Sequence, residues 1–246
     1  MTEPSFLVRP GHARIAYRKI AGAGPTIVFL PGYRSDMLGS KAVALEAWAA
    51  AQGQAMLRFD YAGCGESTGD FAEQTLAGWR DDALAVIDSL TEGPLLLVGS
   101  SMGGWLMLLV ARERADRIAG LVGIAAAPDF TDWGFTQEEK MTILSTGKLE
   151  RPSHYSPEPD LTTRAFWTSG EANRVLQAQL PIDAPVRLLH GMADAEVPWK
   201  YAPHIAQNLR SADVQVTLVK DGEHRLSRDS DIALIIAAVA ELSGRP

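Results

Sequence analysis

Ser101 lies in a glycine-rich turn between two apolar segments, and its neighbours are typical of a nucleophile. Gly99 and Gly103 flank it in the pattern Gly-x-Ser-x-Gly. The apolar run before the turn is too short for a helix and the run after it is longer, which predicts a strand, a sharp turn and a buried helix. A helix beginning at Met102 would direct its N–H groups at the turn, where an oxyanion would form. We therefore expect Ser101 to be the nucleophile and the Met102 N–H to be an oxyanion donor; the alternative is a serine that only caps the helix.

A serine hydroxyl is a weak nucleophile at neutral pH, so the chain must supply a base, and five histidines are available. His224 follows the last predicted strand in a loop that contains Gly222. Loops at the carboxyl ends of parallel strands carry reactive groups in open α/β sheets, so we predict that His224 is the base. Of the other histidines, His12 precedes the serine and His154 lies in an irregular segment. His190 ends an apolar strand, and His204 lies in a predicted helix.

A carboxylate must orient the base, and three acidic residues follow predicted strands. Asp194 and Glu196 lie in the loop after the strand that ends at Gly191. Asp129 follows the strand before that one and is the third candidate.

The second oxyanion donor is expected in the loop after the first long apolar strand. That loop is formed by residues 31–34, which makes the Tyr33 N–H the candidate and would place the Tyr33 side chain at the mouth of the pocket. Trp133 and Phe135 are the other candidates for the substrate pocket, because they lie in an aromatic segment without strand patterns.

Apolar strands alternate with helical patterns along most of the chain, which predicts an α/β fold with a doubly wound, mostly parallel sheet. Strands are expected at 6–8, 14–20, 26–30, 55–61, 95–98, 118–124, 185–191 and 214–219, and helices at 41–51, 75–90, 201–209 and the C-terminus. From about 130 to 180 the strand pattern stops and prolines interrupt the chain. We expect one domain with a core of 1–129 and 181–246 and a small inserted helical cap at about 130–180.

Composition narrows the function classes. A net charge of −7 without a basic stripe argues against nucleic acid as a partner. Cys64 is the single cysteine, no Cys/His spacing is typical of zinc, and we expect neither a metal nor a cofactor. Asp60 is expected to fix its own loop by hydrogen bonds. The first ten residues carry no presequence pattern and no apolar run reaches the ~18 residues of a membrane span, so the expected location is cytoplasmic.

These motifs resemble those of the α/β-hydrolase superfamily. Short segments extend the resemblance to the mammalian α/β-hydrolase-domain family, namely 30–33, 39–42, 58–61, 93–94, 98–101, 103–108, 154–156, 186–191 and 197–199. That family includes a mitochondrial enzyme that is a protein depalmitoylase and an esterase of acyl glucuronides. The resemblance implies that Asp194 is the acid rather than Glu196, because residues 190–198 match the His-Gly-x-x-Asp-x-x-Val-Pro pattern of the superfamily. Pro31 departs from the His-Gly that many relatives have there.

Residues and resemblance together predict a serine hydrolase that cleaves a carboxylic ester or thioester through an acyl-enzyme. Ser101, Asp194 and His224 would form the triad. The partner would be a small-molecule or acylated substrate, and the aromatic residues of the cap favour an apolar acyl group. Two alternatives stay open, a serine peptidase and a non-catalytic ligand-binding or signalling module of the same fold.

Overall fold

The computed structural model describes residues 3–153 and 159–244. Its strands are β1 (Ser5–Leu7), β2 (Ile15–Ile20), β3 (Ala23–Leu30), β4 (Gln54–Phe59), β5 (Leu95–Ser100), β6 (Ile118–Ile124), β7 (Lys148–Arg151), β8 (Asp160–Thr163), β9 (Val186–Gly191) and β10 (Val214–Val219). Its α-helices are α1 (Ser40–Ala51), α2 (Leu76–Leu90), α3 (Met102–Glu113), α4 (Phe130–Trp133), α5 (Gln137–Thr146), α6 (Arg164–Ala172), α7 (Tyr201–Asn208) and α8 (Asp229–Ser243). The elements predicted for the core are present within a few residues of their expected bounds.

Eight of the described strands form one sheet in the order β1-β2-β4-β3-β5-β6-β9-β10. β1 pairs with β2, and β2 with β4, in antiparallel orientation. The remaining neighbours in this order, β4-β3-β5-β6-β9-β10, all pair in parallel. The carboxyl ends of β3, β5 and β9 therefore lie along one edge of the sheet, where the loops that follow them can meet. This arrangement confirms the predicted α/β fold class.

Helices cover both faces of the sheet, as a parallel sheet requires. On one face α1 and α8 pack on the strands through Ala42, Leu45, Ala49, Ile235 and Val239. On the other face lie α2, α3 and α7, and the indoles of Trp79 and Trp105 are almost fully buried there. Each fully buried aliphatic or aromatic side chain of this kind contributes about 1.5–3 kcal/mol to folding. Among the described helices, none is long and apolar enough to cross a membrane.

The segment from 130 to 180 is predicted to be helical, and it holds α4, α5 and α6. It also contains two strands. β7 and β8 form a two-stranded antiparallel sheet. The sequence did not indicate these strands because each has four residues and the first, Lys-Leu-Glu-Arg, has no apolar run. His154, which the sequence placed in this segment, lies outside the described residues.

Asp129 joins the two ends of this segment. It lies directly before α4, and its buried carboxylate accepts hydrogen bonds from the backbone N–H groups of Val175 (2.8 Å) and Leu176 (2.9 Å). Its φ of 57° is in the left-handed region, which Asp tolerates better than most residues. These hydrogen bonds connect the residue before α4 to the chain that follows α6.

Candidate active site

Ser101 occupies a strained position between β5 and α3. Its φ of 55° and ψ of −122° lie outside the regions that non-glycine residues normally adopt. Backbone hydrogen bonds hold it there: its N–H donates to the Ile124 carbonyl (2.9 Å), and its carbonyl accepts from the N–H groups of Gly104 (2.8 Å) and Ala127 (3.0 Å). The turn is therefore bonded to the end of the neighbouring strand β6 and the loop that follows it.

Glycines around Ser101 allow the close packing that this turn needs. A Cβ at Gly103 would overlap the carbonyl of Leu30 at the end of β3, and one at Gly99 would overlap the backbone of Gly103. Gly104 packs with equal closeness against Ala126. The Gly-x-Ser-x-Gly spacing thus reflects the contact of the first turn of α3 with the ends of the strands beside it.

Ser101, His224 and Asp194 lie in one chain of hydrogen bonds. His224 Nε2 is 3.1 Å from Ser101 Oγ, and His224 Nδ1 is 2.8 Å from Asp194 Oδ2. The side chain of His224 is 12 % exposed, and that of Asp194 is fully buried. Three residues from loops after β5, β9 and β10 meet in the geometry of a nucleophile, a base and an orienting acid.

The carboxylate of Asp194 is held by four donors. Oδ1 accepts from the backbone N–H groups of Glu196 and Val197, each at 2.8 Å. Oδ2 faces both His224 Nδ1 and, at 3.2 Å, His190 Nε2. Burial raises the pKa of Asp194, but the hydrogen bonds from His190, His224 and Val197 outweigh it, so the pKa lies well below its usual value. The side chain therefore stays ionised although it is buried.

The other acidic candidates lie elsewhere. Glu196 Oε2 is 3.6 Å from His224 Nε2, the nitrogen that faces Ser101 rather than the one an orienting acid would bind. Asp129 is occupied by the backbone of Val175 and Leu176. Asp60 accepts from the N–H groups of Met37 (2.6 Å) and Glu66 (2.8 Å), so it fixes loops as its position suggested.

Asp60 and Cys64 are buried, and burial changes the pKa of both side chains. Burial raises the pKa of Asp60 to about 6, and burial raises the pKa of the Cys64 thiol to about 12. Cys64 is therefore a buried thiol and not a thiolate at neutral pH. The described residues contain no group of three or more His, Cys, Asp or Glu side chains that could hold a metal ion.

The loop after β3 lies against the nucleophile. A Cβ at Gly32 would come within 3.3 Å of Ser101 Cβ, so the backbone that leads into Tyr33 passes beside the serine. No hydrogen bond of the described residues takes up the Tyr33 N–H. The Met102 N–H, at the first residue of α3, lies before the first intrahelical hydrogen bond.

The side chain of Tyr33 connects this loop to β8. Its hydroxyl donates to the carbonyl of Leu161, and its ring packs against Phe71, Trp79, Phe130 and Phe166 with centroid separations of 4.8–6.1 Å. Burial raises the pKa of Tyr33 well above its usual value. Next to it, the Arg34 guanidinium donates to the Pro159 carbonyl.

A cavity of about 570 Å³ opens beside Ser101 and His224, and polar and apolar atoms contribute to its lining in similar amounts. Apart from Ser101 and His224, it is lined by hydroxyl and charged side chains, with few apolar ones: Ser35, Ser40, Ser100, Ser153, Ser227, Arg34, Lys41, Arg225, Asp36, Asp160, Glu196, Phe29 and Tyr33. The role of Tyr33 in a substrate pocket stays a prediction.

Trp133 and Phe135 do not belong to the lining of this cavity. Trp133 donates its indole N–H to the Pro128 carbonyl (2.9 Å) and stacks on Tyr201 with centroids 4.3 Å apart. Phe135 is buried beneath the guanidinium of Arg151, 4.4 Å from the ring centroid. Both rings are used in packing within and around the segment 130–180.

Lys41 and His190 are the residues near the site that the sequence did not single out for it. Lys41 Nζ donates to the carbonyl of Arg225 (2.5 Å), the residue after His224, and burial lowers the pKa of Lys41 to about 8. A lysine at the start of a predicted helix carries no signal of such a contact, because its partner lies 184 residues away. His190 and Asp194 are four residues apart in the pattern of residues 190–198, and that pattern is the signal that could have found their contact.

Residues 27–238 match the model described as the alpha/beta hydrolase family. The chain belongs to the α/β-hydrolase family. The matched residues include Ser101, Asp194 and His224.

Individual relatives extend this hydrolase's similarity over almost its whole length. It is 41% identical over 245 residues to the human mitochondrial palmitoyl-protein thioesterase ABHD10, with 98% of this chain and 80% of that protein covered. Mouse α/β-hydrolase domain-containing protein 10 superposes with a TM-score of 0.92 at 40% identity, covering 98% of both chains. A putative hydrolase from Agrobacterium vitis gives 0.92 at 39% identity, covering 99% of this chain and 98% of that one. These findings confirm the predicted resemblance and the predicted class, a hydrolase of esters or thioesters.

Removing the Tyr33 hydroxyl should destabilise the hydrolase. In Tyr33→Phe the ring stays in its aromatic cluster, but the Leu161 carbonyl loses its donor, at a cost of about 1–2 kcal/mol. Urea unfolding should show a lower midpoint with an unchanged m-value. Tyr17→Phe is the matched control, because the described residues offer its hydroxyl no partner. Equal midpoints for the two variants would contradict the importance of this contact.

Proposed function

We propose that this α/β hydrolase cleaves acyl esters and thioesters with Ser101 as the nucleophile. The observation that carries the proposal is the unbroken hydrogen-bond chain from Ser101 Oγ through His224 to Asp194. As Oγ attacks the acyl carbonyl, His224 Nε2 takes its proton, and Asp194 holds Nδ1–H and stabilises the imidazolium. Nε2 then protonates the departing alcohol or thiol. A water molecule, activated by His224 in turn, releases the acid from Ser101.

The N–H groups of Tyr33 and Met102 are proposed to hold the oxyanion. The close approach of the Gly32 backbone to Ser101 supports the first, and the position of Met102 at the start of α3 supports the second. Fixed backbone donors lower the barrier because they need no reorganisation when charge develops, and one such donor contributes about 10²–10³ in kcat.

Residues 130–180 are proposed to act as a cap inserted into the core of 1–129 and 181–246. Support comes from Asp129, which bonds to the returning chain, and from Tyr33, which joins the loop beside Ser101 to β8. The position of this segment beside the cavity would make it the part that limits substrate access. The cytoplasmic location stays a prediction, and the mammalian relatives are mitochondrial by name.

The substrate is proposed to be an acyl thioester or ester whose leaving group is polar, as an acylated protein provides. The names of the mammalian relatives point to acylated protein. The cavity beside Ser101 adds a physical reason, because hydroxyl and charged side chains form part of its lining and can hydrogen-bond a polar group. The polar part of the lining would therefore bind the cysteine and peptide side of a thioester.

The roles of the triad are tested by substitution. Ser101→Ala should lower kcat for a nitrophenyl ester by at least about 10⁴-fold. Asp194→Asn should lower it by about 10⁴-fold, because the amide favours the wrong tautomer of His224. The kcat of Glu196→Gln should stay within about tenfold of the wild-type value. Glu196 faces His224 Nε2 and not Nδ1, the nitrogen that Asp194 binds.

The control for these variants is Ser145→Ala, an exposed serine of α5, which should keep full activity. Full activity of Ser101→Ala would refute the mechanism, and a loss in Glu196→Gln that exceeds the loss in Asp194→Asn would move the acid to Glu196. A fluorophosphonate probe that fails to label the wild type would favour a non-catalytic module.

The leaving-group preference is tested with a matched pair of octanoyl thioesters, one of N-acetylcysteine amide and one of butanethiol. We expect kcat/KM to be about tenfold or more higher for the cysteine derivative, because a site lined by hydrogen-bonding groups rejects a partner that leaves them unpaired. An equal or higher value for the butanethiol ester would contradict a polar leaving-group site. A series of acyl lengths on the cysteine derivative then measures the acyl side separately.

A further inference from the structure

His190 is a buried histidine whose ring nitrogens have very different surroundings. It lies in β9, and its side chain is 1 % exposed. Nε2 is 3.0 Å from the Val197 carbonyl oxygen and 3.2 Å from Asp194 Oδ2. A carbonyl and an ionised carboxylate can only accept, so Nε2 must carry a proton.

The other nitrogen of the ring must be unprotonated. Nδ1 is buried and has no hydrogen-bond partner in the part of the chain that the structure describes. A proton there would be a buried N–H without an acceptor, which is more costly than a bare lone pair in the same place. His190 is therefore neutral, and its single ring proton on Nε2 is shared between the Val197 carbonyl and Asp194 Oδ2.

This proton bears on the atom of Asp194 that holds His224. Oδ2 faces His190 Nε2 and His224 Nδ1, whereas Oδ1 is held by two backbone N–H groups from the loop. Without His190, Oδ2 would lose its donor on the side away from His224. The carboxylate could then rotate about the remaining bonds and would attract the proton on His224 more strongly.

We infer that His190 is a positioning residue that donates its Nε2 proton to Asp194 and so fixes the direction and the basicity of the carboxylate that orients His224. The inference rests on the proposed function, in which Asp194 is the orienting acid. His190 does not line the cavity, and its Nε2 contacts only the loop that holds the proposed acid, through Asp194 Oδ2 and the Val197 carbonyl, among the described residues.

Other charges face the same hydrogen-bond chain and would remain in a variant. Glu196 Oε2 lies 3.6 Å from His224 Nε2, and Lys41 Nζ binds the carbonyl of Arg225, the residue that follows His224. Arg225 and Lys41 also line the cavity. Since His190→Leu leaves all of these in place, a changed pH profile in that variant reports on the His190–Asp194 contact.

The test compares His190→Leu with His190→Gln, whose side-chain amide can place an N–H near the position of Nε2. For a nitrophenyl ester we expect His190→Leu to lower kcat by about 10- to 100-fold with little change in KM, the size expected for one lost charge-assisted hydrogen bond. The acid limb of its kcat/KM profile should move to higher pH, because His224 releases its proton less readily beside the more basic carboxylate. His190→Gln should recover most of kcat and the wild-type acid limb.

Rates are divided by the concentration of sites that a fluorophosphonate labels, so a partly unfolded variant does not count as a slow one. His204→Leu and His204→Gln, on the exposed face of α7, are the matched controls and should behave as the wild type. A wild-type acid limb and kcat in His190→Leu, or a loss in His190→Gln as large as in His190→Leu, would overturn the inference. If the proposed function itself fails, Ser101→Ala keeps its activity, which is a separate result.

Discussion

The contact between the first turn of α3 and the end of β3 is the constraint on which the rest of the site depends. Gly103 lies against the Leu30 carbonyl so closely that no side chain fits, and Gly99 lies against Gly103. The chain between these glycines must turn within three residues, and Ser101 takes the strained backbone conformation that this requires, with a φ of 55°. The same packing brings the loop after β3 beside Ser101, so one contact sets the positions of the proposed nucleophile and of both proposed oxyanion donors.

A buried carboxylate is the second constraint, because Asp194 must remain ionised without contact with water. Four hydrogen-bond donors offset its desolvation. Two of them are backbone N–H groups of its own loop, which continues into the Val-Pro sequence at 197–198. The remaining two are histidines from β9 and from the loop after β10. The acid is thus held by the core on one side and faces the base on the other.

Much of this arrangement could be predicted from the sequence. The apolar runs of β3, β5, β6 and β9 and the glycines around Ser101 carry strong local signals, because buried parallel strands and close backbone approach each demand particular residues. The places of Ser101 and His224 after strands predicted that they would meet, and the resemblance to the superfamily selected Asp194 from three acidic residues that follow strands. The strands β7 and β8 did not follow, because short, charged strands on the surface lack an apolar pattern. The lining of the cavity and the packing of Trp133 and Phe135 depend on which distant segments meet, and no local pattern records that.

The most direct test of Ser101 as the nucleophile is to find which side chain carries the acyl group during turnover. The hydrolase is mixed with nitrophenyl octanoate, quenched in acid within the burst phase and digested with trypsin, and the peptide 81–112 is fragmented in a mass spectrometer. The account predicts one octanoyl group on Ser101, and none on the neighbouring Ser100. An octanoyl group on Ser100, on Cys64 or on any other side chain, or nitrophenol release in a burst that leaves the enzyme unmodified, would contradict it.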